Sequence, residues 1–164
     1  MNKKNIHWPI IIGLFLFFNV CSAQHLGLGI IIGSPTGFTG KYIITQKSAI
    51  AVHIGWSLGD NPQLHITGDY QFLFPTVLRW TDDMTEEQRE IRNLTPYVGI
   101  GGRFRFKENE PEHETELNFG LRLGGGAEIK FSRFGIFLEI YPVINVLPAT
   151  DFDLEGGLGA RIYF

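Results

Sequence analysis

Cysteine occurs once in the 164 residues, at Cys21. The chain after it can form no disulfide within itself and has no thiolate to offer a metal. Charged residues are sparse at 19%, the formal net charge is −3, and there is no basic run. Such a chain has little with which to neutralise a phosphate backbone, so nucleic acid is not an expected partner. After residue 18 no apolar run approaches the roughly 20 residues that a membrane-spanning helix needs. The length leaves room for one domain, because a second would be too small to bury a core.

Aromatic residues and glycine are abundant, at 13% and 20 positions. That composition opposes disorder. The first residues read as a targeting segment: Lys3 and Lys4, an apolar stretch from Ile10 to Phe18, then small residues at Cys21 and Ala23. This pattern predicts signal-peptidase cleavage between Ala23 and Gln24. The expected division is a signal peptide over 1–23 and one domain over 24–164. Lipidation of Cys21 is the alternative, but Phe18 and Val20 stand where a lipoprotein signal usually has Leu and a small residue.

From residue 25 onward the dominant period is two, the period of a strand. Ile50, Val52, Ile54 and Trp56 share one face, opposite Ala49, Ala51, His53 and Gly55. The alternation recurs over 64–72, 97–106, 117–131, 134–146 and 152–164, and Leu26–Gly33 and Phe38–Ile44 complete a set of eight strands. Turn residues separate most of them, among them Ser34-Pro35-Thr36-Gly37, Gln46-Lys47, Gly59-Asp60-Asn61-Pro62 and Ser132-Arg133.

The two faces decide the surroundings. One is almost uninterrupted in apolar residues, above all from Leu117 to Phe131. The other mixes glycine with charges of both signs. Lys41, Arg103, Arg105, Arg122, Lys130 and Arg161 oppose Asp69, Glu128, Glu139, Asp153 and Glu155. In a soluble sandwich the polar face would meet water and would be rich in Lys, Glu, Ser and Thr. Mixed charge with glycine suits a narrow interior where ions must pair. Apolar strands of about 9–11 residues cross a bilayer, and they must close because hydrocarbon tolerates no open sheet edge. The expected fold is all-β: an eight-stranded antiparallel up-and-down transmembrane barrel. Lys41, Asp69, Arg103, Arg105, Arg122, Glu128, Glu139, Asp153, Glu155 and Arg161 are expected to form an ion-pair network in its lumen. Arg161 and Glu139, from neighbouring strands, are expected to approach each other.

The last strand ends in Gly159, Ile162 and the terminal aromatic Phe164. This resembles the closing strand of outer-membrane barrels, in which the pattern is an assembly signal read by the barrel-assembly machinery; Gly157 departs from it, where a polar residue is usual. With Gly33-Ser34-Pro35-Thr36-Gly37, Lys41-Tyr42, Asp69-Tyr70, Pro96 to Arg103, Glu139 to Pro142 and Gly159 to Phe164, the chain resembles the small eight-stranded bacterial barrels of the OmpA/OmpX kind. It is most similar to a group of that size with no assigned activity. The resemblance implies location and fold and carries over no catalytic residue.

Other motifs have ordinary readings. Gly27-Leu28-Gly29 and Gly99-Ile100-Gly101-Gly102 lead into no helix, so they are strand glycines rather than phosphate loops. Gly124-Gly125-Gly126 marks a bend or bulge. His53 and His65 share the inner face, and a metal site there would need a third ligand such as Asp69. Ser48, Ser57 and Ser132 lie at strand ends with no nearby His–acid pair in sequence. Glu108 to Glu116 alternates in acids and reads as a solvated loop. Thr85 to Glu90 carries a capping-box pattern that predicts one or two helical turns. Trp56 and Trp80 suit a membrane interface.

With a periplasmic N-terminus, the connections at 34–37, 58–63, 107–116 and 147–151 face outward and are short, and the long segment 74–95 is periplasmic. A strand over Thr76–Thr81 would disturb that parity. The expected function is a non-enzymatic outer-membrane barrel with a structural or surface-interaction role and a side-chain-filled lumen. The alternatives are a narrow channel for small solutes and a lipid-modifying enzyme. Expected partners are outer-membrane lipid and the assembly machinery, with any external ligand reached through short loops. The chain is expected to be a monomer with no metal or cofactor.

Overall fold

The computed structural model describes residues 24–57, 63–81, 88–109 and 114–164. Residues 1–23, read above as a signal peptide, lie outside them with Ala23, and Gln24 is the first described residue. The strands are β1 (Leu26–Gly33), β2 (Gly37–Thr45), β3 (Ser48–Ser57), β4 (Gln63–Leu73), β5 (Thr76–Thr81), β6 (Gln88–Asn109), β7 (Glu114–Phe131), β8 (Phe134–Leu147) and β9 (Asp151–Tyr163). Every pairing is antiparallel, and eight of the strands close a barrel. β1 pairs with β9 through Ile30↔Ala160, and β4 pairs with β6 through Tyr70↔Ile100. Closure pairs the strands edge to edge all round the ring, which is the condition that lipid would impose.

The ninth strand stands outside the ring. Pro75 interrupts the chain after β4, and Phe74 N donates to the Pro96 carbonyl at 2.8 Å. β5 then resumes along the same edge of β6, with Thr76 opposite Leu94 and Trp80 opposite Arg89. β6 is therefore long enough to serve the barrel with one half and a protruding ribbon with the other. The strand over Thr76–Thr81 does exist, but it leaves the parity intact because its partner is the first half of β6. Within the segment 74–95, the described residues 76–81 and 88–95 are thus strand. Gln88 opens a strand instead of completing a capping box; residues 82–87 lie outside the described set. Trp80 sits in β5, and its side chain is likewise outside it.

At the opposite end β6 and β7 also project, pairing as far as Asn109↔Glu114. The acidic stretch expected to be a loop is therefore largely strand. The triple glycine is no bulge: Arg122↔Val143 and Gly125↔Ile140 keep one register with β8, and the register shift lies at Phe119/Gly120. Both described chain ends, the Gln46-Lys47 and Ser132-Arg133 turns and the β5–β6 ribbon lie at one end of the barrel. The β1–β2, β3–β4, β6–β7 and β8–β9 connections lie at the other.

Burial is inverted relative to a water-soluble domain. Leu121, Leu123 and Leu138 are 56%, 64% and 63% exposed, whereas Arg103, Glu128 and Arg161 are 1%, 0% and 0% exposed. Strand alternation produces this directly, since the charged residues occupy the inward positions. The outward aromatics gather toward the two ends. Phe38, Trp56, Phe104 and Phe152 lie near one, and Tyr42, Phe72, Phe131, Phe134 and Phe164 near the other.

Candidate functional site

The lumen is filled by side chains in three tiers. The tier nearest the termini is centred on Glu128 of β7. It accepts from Lys41 Nζ of β2 at 2.8 Å and from the Tyr163 hydroxyl of β9 at 2.5 Å, and Arg161 Nη1 lies 3.9 Å away. Arg161 donates twice to Thr39 Oγ1, at 3.1 and 2.8 Å, and its guanidinium carbon stacks 3.6 Å from the centroid of the Phe137 ring. Lys130 lies over the Tyr163 ring at 4.0 Å, and Lys41 over Tyr97 at 4.6 Å. Such contacts with aromatic faces supplement carboxylate pairing for a desolvated cation.

The middle tier turns on Glu139 of β8. One oxygen accepts from the Tyr97 hydroxyl at 2.9 Å; the other lies 3.3 Å from His53 Nε2 and 3.8 Å from Arg122. The expected Glu139–Arg161 contact is absent among the described ion pairs. The β8–β9 register explains this: Glu139 stands opposite Gly157, whereas Arg161 stands opposite Gly135, four residues along the strand. Arg161 is thereby delivered to the Glu128 tier. Arg122 stacks over the Tyr141 ring at 4.1 Å and reaches Asp69 at 3.0 Å.

The third tier belongs to Glu155 of β9. It is 2.6 Å from Arg103, 3.0 Å from Arg122, 3.4 Å from Arg105 and 3.2 Å from His65. Asp153 adds contacts of 3.0 Å to Arg103 and 3.7 Å to Arg105, and Asn145 both accepts from Arg103 and donates to Asp153. Arg122 belongs to two tiers and joins Asp69, Arg103, Arg105, Glu139, Asp153 and Glu155 into one ion-pair set. Lys41, Glu128 and Arg161 form a second set, which meets the first through Tyr97, under Lys41 and bonded to Glu139, rather than through an ion pair. The ten residues singled out from the sequence thus fall into two sets among the described residues, not one. The two histidines each face a carboxylate rather than one another, His53 with Glu139 and His65 with Glu155. No group of three metal-ligating side chains occurs among the described residues.

Several members carried no assigned role in the sequence reading: Tyr97, Tyr163, Thr39, Asn145 and Phe137. Their signal was glycine on a neighbouring strand. A Cβ on Gly159 would strike the Phe137 ring, one on Gly99 would strike the Tyr141 hydroxyl, and one on Gly124 would fall 2.7 Å from Tyr141 Cα. Glycine makes room for the rings that pack between the charges. Gly159, Ile162 and Phe164, read as the assembly signal, divide between faces: Gly159 points into the lumen, and Ile162 and Phe164 point out.

Glu128, Glu139, Asp153 and Glu155 are each approached by several donors, whereas Asp69 is approached by Arg122 alone among the described ion pairs, and rings pack between the charges. Comparison with protein-family models gives no match, nor does comparison with curated proteins. Among solved structures the chain is similar to the N-terminal β-barrel domain of Pseudomonas aeruginosa OprF, with a TM-score of 0.60 and 16% identity, covering 85% of this chain and 95% of that one. At that identity the likeness speaks to the fold: a closed eight-stranded antiparallel up-and-down barrel.

Proposed function

We propose that the chain is an integral protein of the bacterial outer membrane, with a plugged lumen and a structural or surface-interaction role. The observation that carries this reading is the inverted distribution of residues. An outward face of exposed Leu, Ile, Val and Phe surrounds a lumen of buried, paired charges. In water that outer face would be an apolar surface far larger than soluble monomers tolerate. In a bilayer it is the lipid-facing band, and the aromatics toward its two ends occupy the positions of interfacial girdles. The OprF barrel domain has the same architecture and supports the assignment.

In this reading the termini and the β5–β6 ribbon are periplasmic, and the β6–β7 ribbon projects outward. The Gly159, Ile162 and Phe164 strand is the part that the barrel-assembly machinery engages, and the protein works as a monomer without enzymatic chemistry. Cleavage after Ala23 starts the mature chain at Gln24. The test is reconstitution. The mature chain should insert into lipid vesicles, show heat-modifiable gel mobility and pass no steady current in a planar bilayer. Failure to insert would refute the membrane assignment. A stable, salt-dependent current through the unmutated protein would replace the plug with a channel.

A further inference from the structure

At the end away from the termini the β1–β2 turn folds inward over the lumen. Pro35 is buried, Ser34 N donates to the Gly156 carbonyl at 2.9 Å, and the Thr36 hydroxyl donates to the Gly33 carbonyl at 2.9 Å. The Thr36 carbonyl in turn accepts from Trp56 N at 3.3 Å. Between this fixed turn and the inner faces of β4 and β6 lies an open pocket of about 350 Å³, lined by Ser34, Thr36, Trp56, Gln63, His65 and Arg105. Gln63, His65 and Arg105 point inward from adjacent strands, with His65 directly opposite Arg105 in the register.

Two features give this pocket a chemical character. Arg105 is the most loosely held cation of its tier: its carboxylate contacts are 3.4 and 3.7 Å, against 2.6 and 3.0 Å for Arg103. Its guanidinium is also partly exposed, so it has donors to spare. Both signs of charge also stand close together here, for Arg105 is shared by Asp153 and Glu155. An anion entering would meet those two carboxylates, and a cation would meet Arg105. A neutral molecule bearing several hydroxyls meets neither obstacle, because each hydroxyl both donates and accepts. The flat guanidinium of Arg105 and the flat amide of Gln63 can each serve two neighbouring hydroxyls, and the Ser34 hydroxyl can serve a third. The volume lies at the small end of the range for small-molecule sites.

The geometry points to a saccharide site: this pocket binds one sugar unit through Gln63, Arg105 and the Ser34 hydroxyl. The inference rests on the proposed function, in which this end faces the cell exterior. The sugar then belongs either to a glycolipid of the same outer leaflet or to a soluble glycan.

The experiment uses the full mature barrel folded in detergent micelles, observed by saturation-transfer NMR. One probe is core oligosaccharide released from lipopolysaccharide; the other is maltotriose. Saturation should reach the ring protons of at least one probe, and which one responds tells the two sources apart. Gln63→Leu and Arg105→Gln should each weaken binding about fivefold, as expected for one or two lost hydrogen bonds. Lys47→Gln, in the turn at the other end, should leave it unchanged. No transfer from folded protein to either probe would overturn the inference, as would transfer unaltered by the pocket variants. Gln63 lies outside the ion-pair network, so Gln63→Leu decides the matter if Arg105→Gln misfolds. A barrel that enters vesicles yet binds neither sugar sinks this inference alone; one that does not enter vesicles sinks the membrane reading first.

Discussion

Replacing Glu128 with Gln removes one charge from the lumen and almost no volume. The residue is fully buried, and Lys41, at 1% exposure, has it as its carboxylate partner at 2.8 Å. Removing one member of a buried pair costs about 3–5 kcal/mol, because the remaining ion stays desolvated and uncompensated. Two features set the value near the lower end. The Gln side-chain oxygen can still accept from the Tyr163 hydroxyl, and Arg161 keeps Thr39 and the Phe137 ring. The expected loss is therefore about 3 kcal/mol. With a urea dependence of about 2 kcal/mol/M, the unfolding midpoint should fall by about 1.5 M. The assay is urea unfolding of vesicle-inserted protein, followed by heat-modifiable gel mobility and by far-ultraviolet circular dichroism.

A double substitution separates burial from mere contact. Lys41→Met with Glu128→Leu removes both ions, and exchange of a buried pair for apolar side chains is often neutral or stabilising. The double variant should recover at least half of what Glu128→Leu alone loses. If Glu128→Gln unfolds within about 0.5 kcal/mol of the parent, the pair behaves as a solvated surface bridge. The lumen would then be wet, and the plug reading would fail.

Three further outcomes are expected. Leu121→Arg places a charge on the outward apolar wall, which in the proposed bilayer setting costs about 2–4 kcal/mol near the midplane. It should depress vesicle insertion far more than Asn109→Arg at the end of the β6–β7 ribbon, and equal insertion would revive a soluble sandwich. Gly124→Ala brings a Cβ against the Ile140 carbonyl and the Tyr141 backbone; overpacking of this kind costs about 1–3 kcal/mol, read in the same urea assay, and an unchanged midpoint would show that β7 and β8 can separate freely. Glu155→Ala leaves Arg103 and Arg122 short of their shared carboxylate. It should create single-channel current where the parent has none, and continued silence in the bilayer would mean that the rings, not the ions, close the lumen.

What could be read from the sequence follows from the symmetry of a strand. Alternation places residues on faces whatever the partner, so Ile54 and Leu121 outward and Arg103 and Glu139 inward were legible without any pairing. Partners were not. Lys41 of β2 meets Glu128 of β7 across the lumen, and neither strand is a neighbour of the other. That meeting depends on how far successive strands are staggered around the ring, a property of the closed barrel rather than of any segment. The same stagger sends Arg161 to Glu128 and leaves Glu139 to Tyr97, His53 and Arg122. The alternation at 76–81 was too short to stand out between Pro75 and the polar run after it, which is why β5 read as part of a connection.

The glycines show where physical reasoning could have gone further. Their inward placement was visible as a pattern, but it read as strand glycine and, at Gly124-Gly125-Gly126, as a bend or bulge. The structure gives the space beside them to rings: Tyr141 between Gly99 and Gly124, Phe137 against Gly159, and Tyr163 against Gly27, where an added Cβ would fall 2.7 Å from the ring. A ring in the lumen does what another ion could not. It excludes water without itself needing a counter-charge, and its face receives the guanidinium or ammonium beside it, as Phe137 receives Arg161 and Tyr163 receives Lys130. Inward glycine paired across strands with inward Tyr or Phe is therefore a sequence signature of a closed lumen. An inner face of charge and glycine without rings would leave the ions to water, and the same alternation would then describe a pore.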